Sequence, residues 1–418
     1  MAFTKQTIRD VDLAGKTVLV SVDYNVPVPQ PGKELDDFRI RATLPTLEYL
    51  LKQNCKVILM SHRGRPAGEV DKNLSLEPVA RLLKKLVDAT VHFASDCVGP
   101  VAEAAAQTLK PKDVLLLENT RFHIEEENND GSFAKELANL AEVFVQDAFG
   151  NAHRQHASIV GVPKFLPAVA GLLLEKEVST ITNAMANPKR PLVAIVGGAK
   201  VSGKIELLER LVDVADRILI GGAMANTFLK YFGYPIGKSV HEPGQEAEIK
   251  RILDKMDEKV GGDGQFGSVD ELHDILDLPY EDVAVAKTIA KDQRRVVVNA
   301  RQVSADEYIL DIGPQTVKRF AEHIQTAQTI IWNGPVGMTE FEQFAEGSNW
   351  IADTIAKQSQ ATSIIGGGDT MAFVMSWSDE AEKRFDLIST GGGASLELMA
   401  GKRLPGVDAL LDKRGEIE

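Results

Sequence analysis

The chain has 418 residues, 44% hydrophobic and 26% charged, a balance that excludes a natively disordered protein and allows a sizeable core. Its length suggests two or three domains. A formal net charge of −13 argues against a nucleic-acid or anionic-membrane partner, since each would want a basic surface. The longest apolar runs, 57–60, 114–117 and 191–196, fall far short of the roughly 18 residues a bilayer span needs. The N-terminus MAFTKQTIRDVDLAG has no apolar core of a secretory signal, so none is expected. Cys55 and Cys97 cannot make a disulfide framework and read as buried thiols in a reducing cytosol.

Taken in chain order, short β-branched runs alternate with amphipathic segments. Strands are expected at 17–22, 56–60, 90–93, 113–117, 143–146, 191–196, 217–220, 283–286, 329–332, 362–365 and 386–389. Helices are expected at 44–53, 76–88, 204–215, 244–258, 314–327 and 343–357. In 204–215 the apolar positions 205, 207, 208, 211, 212, 214 and 215 share one face. The alternation, without hairpin signals, predicts an α/β protein with two doubly wound parallel sheets of about six strands each. A helix over 171–186, ended by Asn187-Pro188, divides the chain. The two sides differ in charge: 21 basic against 24 acidic residues in 1–187, and 26 against 36 in 188–418. The polar stretch 257–282 reads as surface and insertion-tolerant.

Glycines cluster just after strands, at Gly197-Gly198, Gly221-Gly222, Gly366-Gly367-Gly368 and Gly391-Gly392-Gly393. In an open parallel sheet these strand ends line the ligand crevice, and glycine turns opening helices suit phosphate. Read from Gly198, the first cluster matches a P-loop until Ile205, where Ser or Thr would be needed for Mg²⁺, so a P-loop NTPase is disfavoured. Lys200 and Lys204 lie at a helix start, where cations oppose the dipole and call for an anionic counterpart. Asp369 can cap a helix or hold Mg²⁺ beside phosphates, and Glu340 and Glu342 can bond ribose hydroxyls.

In the first half the strand ends instead carry VDYNVP (22–27), SHRGRP (61–66), ENTRFH (118–123) and DAFGNAHRQH (147–156). Arg39, Arg65, Arg121 and Arg154 can then converge on one sheet end, a basic pocket for a small multiply charged anion.

These motifs, with RIRATLPT (39–46), AGLLLEKE (170–177), WNGPVG (332–337) and STGGGASLELMAGKRLPGV (389–407), resemble the phosphoglycerate kinase family in order and nearly end to end. The resemblance implies a cytosolic monomer of two Rossmann-like domains. Expected boundaries are a 3-phosphoglycerate domain at 1–170, a hinge helix at 171–187, a nucleotide domain at 188–388, and a segment 389–418 returning to the first domain. It implies Mg²⁺-dependent phosphoryl transfer between ATP and 3-phosphoglycerate, giving ADP and 1,3-bisphosphoglycerate. By the same resemblance Asp23, Asn25, His62, Arg65, Arg121 and Arg154 bind 3-phosphoglycerate, and Arg39 is catalytic. Lys200 and Lys204 lie near the transferring group. Glu340 binds ribose, and Gly367, Gly368, Asp369 and Thr370 form the phosphate and Mg²⁺ turn, with Asp369 the metal ligand. Gly313 and Asn333 line the nucleotide cleft, and Gly391, Gly392 and Gly393 face the transferring phosphate.

The sequence departs from the family pattern at Ser21, usually Arg, and at Arg63, Gln146 and Asn226. Arg63 is expected to return the positive charge lost at Ser21, and Asn226 to alter packing near the adenine. Against an NAD-dependent dehydrogenase, no G-x-G-x-x-G follows the first strand. A non-catalytic nucleotide-binding scaffold would have no use for the Arg and Lys set. The acceptor carboxylate, with an ordinary pKa near roughly 4, needs no general base, so the chemistry should rest on positioning and charge stabilisation.

Overall fold

The computed structural model describes residues 3–28, 35–260, 272 and 275–413. The chain forms two compact units, one made of the residues up to Ser179 with those from Arg403 onward, the other of Thr180–Lys402. The boundary falls inside the helix Leu172–Ala186.

The first unit holds β1 (Thr17–Ser21), β2 (Lys56–Met60), β3 (Val91–Phe93), β4 (Val114–Leu116), β5 (Val143–Gln146) and β6 (Ala168–Ala170). They form one parallel sheet in the order β3-β4-β2-β1-β5-β6. The central strands are buried on both faces, which explains their continuous rather than alternating apolar runs. The helix Glu77–Leu86 shows the local logic. Pro78 sits in its first turn, Glu77 faces the positive end of its dipole, Lys84 and Lys85 the negative end, and Val79, Ala80 and Leu83 are buried.

The returning C-terminus is fixed by backbone pairing: Gln6 N donates to Leu411 O (2.7 Å) and Leu411 N to Ala168 O (3.0 Å). This return begins at Arg403. Residues 389–402 group with the second unit, because the helix Gly392–Met399 packs against its sheet and against the helix Ile205–Val214.

In the second unit the strands are β7 (Leu192–Val196), β8 (Arg217–Ile220), β9 (Leu276–Asp277), β10 (Asp282–Ala286), β11 (Val296–Asn299), β12 (Tyr308–Ile312), β13 (Thr329–Asn333), β14 (Thr362–Gly366) and β15 (Leu387–Ile388). Six make a parallel sheet ordered β15-β14-β13-β7-β8-β9. The other three form an antiparallel sheet, β11-β10-β12, which the sequence reading did not foresee. β11 is largely exposed, with Val296 and Val297 each 42% accessible, so it carries no buried apolar face to announce it. Part of the expected surface stretch 257–282 is likewise core: Ile275, Leu276 and Leu278 are buried where β9 closes the sheet. Residues 261–271, 273 and 274 of that stretch lie outside the described residues. No described helix is long and apolar enough to cross a membrane.

Candidate active site

Both parallel sheets reverse their winding direction once, between β1 and β5 in the first and between β7 and β13 in the second. Loops leaving the carboxyl ends of such strands splay apart and leave a crevice.

In the first unit that edge is cationic. The loop after β1 places the buried Asp23 so that it accepts from Arg39 Nη1 at 2.6 Å, while Asn25 O accepts from the same nitrogen at 3.4 Å. Arg39 sits within a short helix, Phe38–Ala42, just ahead of the helix Leu44–Lys52. Asn25 Oδ1 accepts from Gly64 N at 2.9 Å, joining the loops after β1 and β2. Gly64 O in turn accepts from Arg121 Nη1 at 2.8 Å. Arg121 lies in the turn Thr120–Phe122 after β4 and is buried; its Nε faces Glu127 Oε1 at 3.4 Å as an ion pair, and neither Nε nor Nη2 makes a hydrogen bond. Arg154 Nε and His62 Nε2 are also buried without hydrogen-bond partners. Buried donors left without hydrogen-bond partners cost free energy, so their convergence marks a place prepared for an acceptor-rich ligand.

The groups feel one another. Burial, then the charges of Arg121, Arg154, His156 and Arg39, hold His62 well below the usual histidine range. Burial followed by Arg121 and Arg154 pushes His156 down to about 4. Burial, then Arg154, lowers Arg121. Three of the four arginines expected to converge, Arg39, Arg121 and Arg154, thus lie close enough to act on His62, as does His156, of which only the motif, not the role, stood out in the sequence. Arg65 is exposed, next to Gly64, whose backbone joins Asn25 and Arg121.

Two departures resolve. Ser21 is buried at the end of β1. Arg63 does not restore a charge to the pocket. It is itself buried and donates to the carbonyls of Val26 (2.9 Å), Pro27 (3.0 Å) and Ser75 (3.1 Å), tying two loops together.

In the second unit, four helices open beside one sheet edge: Ile205–Val214 after β7, Gly222–Tyr231 after β8, Gly368–Trp377 after β14 and Gly392–Met399 after β15. Their positive ends suit phosphate. At the switch point, Lys204 Nζ donates to Gly197 O at 2.7 Å and to Asn333 O at 2.9 Å. These carbonyls, with Asp369, are the counterpart that a lysine at a helix start requires. Burial lowers the Lys204 ammonium to about 8, and Asp369 opposes the shift. The crevice is close-packed backbone. A Cβ on Gly197 would lie 2.0 Å from Pro335 O, and Gly334 (φ +98°) admits no side chain beside the Lys204 ammonium.

Thr370 Oγ1 accepts from Gly334 N at 2.6 Å, joining the turn at 367–370 to the switch-point loop. A Cβ on Gly392 would come within 3.2 Å of Gly368 N, so the turn at 391–393 abuts the one at 367–368.

Beside this edge lies a cavity of about 520 Å³. Gly198, Gly222, Ala223 and Pro335 line one side, Ile309, Leu310 and Val336 an apolar wall, and Glu340 and Asp369 its polar rim. The volume suits a nucleotide-sized ligand. Asn226 also lines it, holding Val240 O at 3.0 Å. Glu342 does not line the cavity, nor does Gly313, which caps the helix Pro314–Thr326 against Asp282. Asn333 contributes its carbonyl to Lys204 rather than a cavity wall. Lys200 is exposed, and its charge acts on Glu242. Asp311, unremarked in the sequence, lies in the cavity wall; burial raises its carboxyl to about 7, despite donation from Gly347 N and Ile312 N at 2.9 Å each.

The family model for phosphoglycerate kinase matches residues 8–402. The chain belongs to the phosphoglycerate kinase family. It is 48% identical over 409 residues to the phosphoglycerate kinase of Moorella thermoacetica, covering 98% of this chain and 100% of that one. It is also 48% identical over 412 residues to that of Roseiflexus sp., covering 98% and 99%. Among solved structures, phosphoglycerate kinase from Coxiella burnetii superposes with a TM-score of 0.81 at 39% identity, covering 97% of this chain and 98% of that one. The enzyme from Pyrococcus horikoshii gives 0.81 at 31% identity, with the same coverage. Membership makes the chain a kinase and displaces the dehydrogenase and scaffold alternatives.

Proposed function

We propose that the chain transfers a phosphoryl group reversibly between ATP and the carboxylate of 3-phosphoglycerate, yielding ADP and 1,3-bisphosphoglycerate. The observation that carries this reading is the set of buried donors without hydrogen-bond partners on Arg121, Arg154 and His62, at one sheet edge of an acidic protein. A ligand with a phosphate and a carboxylate satisfies such donors with charge-assisted hydrogen bonds, roughly twice as strong as those a neutral ligand makes. Arg121, Arg154, Arg65 and His62 bind that anion, and Asp23 and Asn25 hold Arg39 in position. ATP occupies the second unit's cavity, with ribose at Glu340 and phosphates over the glycine turns at 197–198, 367–370 and 391–393.

The attacking carboxylate is already ionised at neutral pH, so no base is required. The barrier is repulsion between anions. Arg39, Lys204 and Lys200 offset it by spreading the charge of the transferring group, and backbone N–H groups of the glycine turns complete its surroundings. Mg²⁺ fits the donor set: Asp369 offers an exposed hard oxygen ligand on the cavity rim, and this ion prefers one or two carboxylates with phosphates and water. When bound it would neutralise nucleotide phosphate charge. Because the two ligands are assigned to different units, transfer requires closure of the units over them, which would also keep water from the phosphoryl group. The chain is proposed to act as a monomer in the cytosol, where its free thiols Cys55 and Cys97 stay reduced.

Calorimetric titration tests the anion assignment. Wild type should bind 3-phosphoglycerate, and Arg121→Met should weaken it at least tenfold while leaving ADP affinity unchanged. Unaltered 3-phosphoglycerate affinity in Arg121→Met would overturn the assignment.

A further inference from the structure

We propose that Asp96, Cys97 and His123 form a binding site for one thiophilic divalent transition-metal ion, zinc by donor chemistry, on the first unit and outside its basic cluster. Asp96 and Cys97 lie between β3 and the helix Gly99–Thr108, and His123 follows the turn after β4. β3 and β4 are adjacent and parallel, in register from Val91↔Val114 to Phe93↔Leu116, so these loops emerge side by side. One carboxylate oxygen, the Cys97 sulfur and one imidazole nitrogen all lie within 4.8 Å of one another. Asp96 Oδ1 and His123 Nε2 are 2.8 Å apart.

A tetrahedral zinc ion with bonds of roughly 2.0–2.3 Å holds its donors roughly 3.3–3.8 Å apart. The oxygen and nitrogen need therefore part by only about half an ångström, and the sulfur, about 3.5 Å from each in such a site, approach by roughly 1.3 Å at most. The scaffold is already braced. Cys97 N donates to Asp96 Oδ1 at 2.7 Å, His123 N donates to Thr120 O at 3.2 Å, and the His123 ring packs on Phe133 at 5.3 Å between centroids.

An Asp–His hydrogen bond alone has no need of a sulfur beside it. Sulfur, imidazole and carboxylate together select zinc, cobalt or similar ions over Mg²⁺ and Ca²⁺, which take oxygen ligands. The sulfur is fully buried, whereas Asp96 and His123 are partly exposed, so an ion enters from their side and keeps a water as its fourth ligand. On binding, the thiol proton leaves to solvent and the remaining imidazole proton sits on Nδ1.

Cobalt(II) titration of the chelator-treated full chain, in excess Mg²⁺, tests the site. The expected result is a sulfur-to-cobalt charge-transfer band with intense visible absorption, saturating near one ion per chain and displaced by zinc. The band should vanish in Cys97→Ser, persist in Cys55→Ser, and appear only at tenfold or more higher cobalt in His123→Gln. The His123 variant alters a partly exposed side chain, so it tests the site even if Cys97→Ser misfolds. Absence of the band in wild type at millimolar cobalt, or unchanged cobalt affinity in His123→Gln, would overturn the proposal.

Discussion

Removing the Lys204 ammonium while keeping its bulk, as in Lys204→Met, isolates the electrostatic part of the mechanism. In the resting protein that ammonium is held by two carbonyls, Gly197 O at 2.7 Å and Asn333 O at 2.9 Å, with Asp369 as its charged neighbour. It is therefore a fixed charge in a half-buried crevice, the kind that stabilises a transition state without reorganisation. One such donor is worth about 3–4 kcal/mol, which corresponds to a fall in kcat of roughly 10²–10³. Lys204→Arg keeps the charge but should recover little. A Cβ on Gly334 would already meet Nζ at 2.7 Å, and the guanidinium fork has no comparable space. The assay couples ADP formation to NADH oxidation at saturating ATP and 3-phosphoglycerate, with ADP affinity measured separately. Turnover of Lys204→Met within threefold of wild type, or full recovery by Lys204→Arg, would refute the reasoning.

Arg39→Ala should lower turnover at least a hundredfold while ATP affinity changes less than threefold, because the partners of Arg39 are Asp23 and Asn25 in the other unit; equal losses in both, read by kinetics and nucleotide titration, would contradict its role. Gly197→Ala should lower the thermal midpoint and abolish ADP binding, since the added methyl meets Pro335 O; a normal calorimetric ADP titration would contradict that account of the crevice. Asp311, raised from 3.8 to about 7, binds its proton more tightly folded than unfolded, so its contribution to stability is present below pH 4 and lost as pH rises through 7. Denaturant titrations without nucleotide should show Asp311→Asn removing a downward slope of order 1 kcal/mol per pH unit between pH 4 and 7; parallel profiles for the two proteins would contradict this.

Much of the site was legible because parallel α/β folds put function just after strands. His62, Arg121, Arg154, Lys204 and Asp369 all lie in loops or helix starts that follow short apolar runs, which remain recognisable when both faces are buried. What escaped depends on tertiary environment. Nothing in the spacing of His156 or Asp311 reveals that they will be desolvated among other charges. Arg63 looked like a ligand-facing cation because charge is visible in sequence and orientation is not; its partners are carbonyls from two distant loops. The helices Gly222–Tyr231 and Gly392–Met399 open on glycines, which weaken helix propensity where close backbone approach is needed. The strands Ala168–Ala170 and Leu276–Asp277 are too short for any period to register.

The central claim is that separate cationic and glycine-lined sheet edges act together on two anions. It is tested most directly by measuring ADP formation from ATP and Mg²⁺ with and without 3-phosphoglycerate, using purified chain. The expected result is turnover at roughly 1–100 per second that depends wholly on 3-phosphoglycerate. ADP formation at the same rate without it, or no turnover in its presence, would contradict the account.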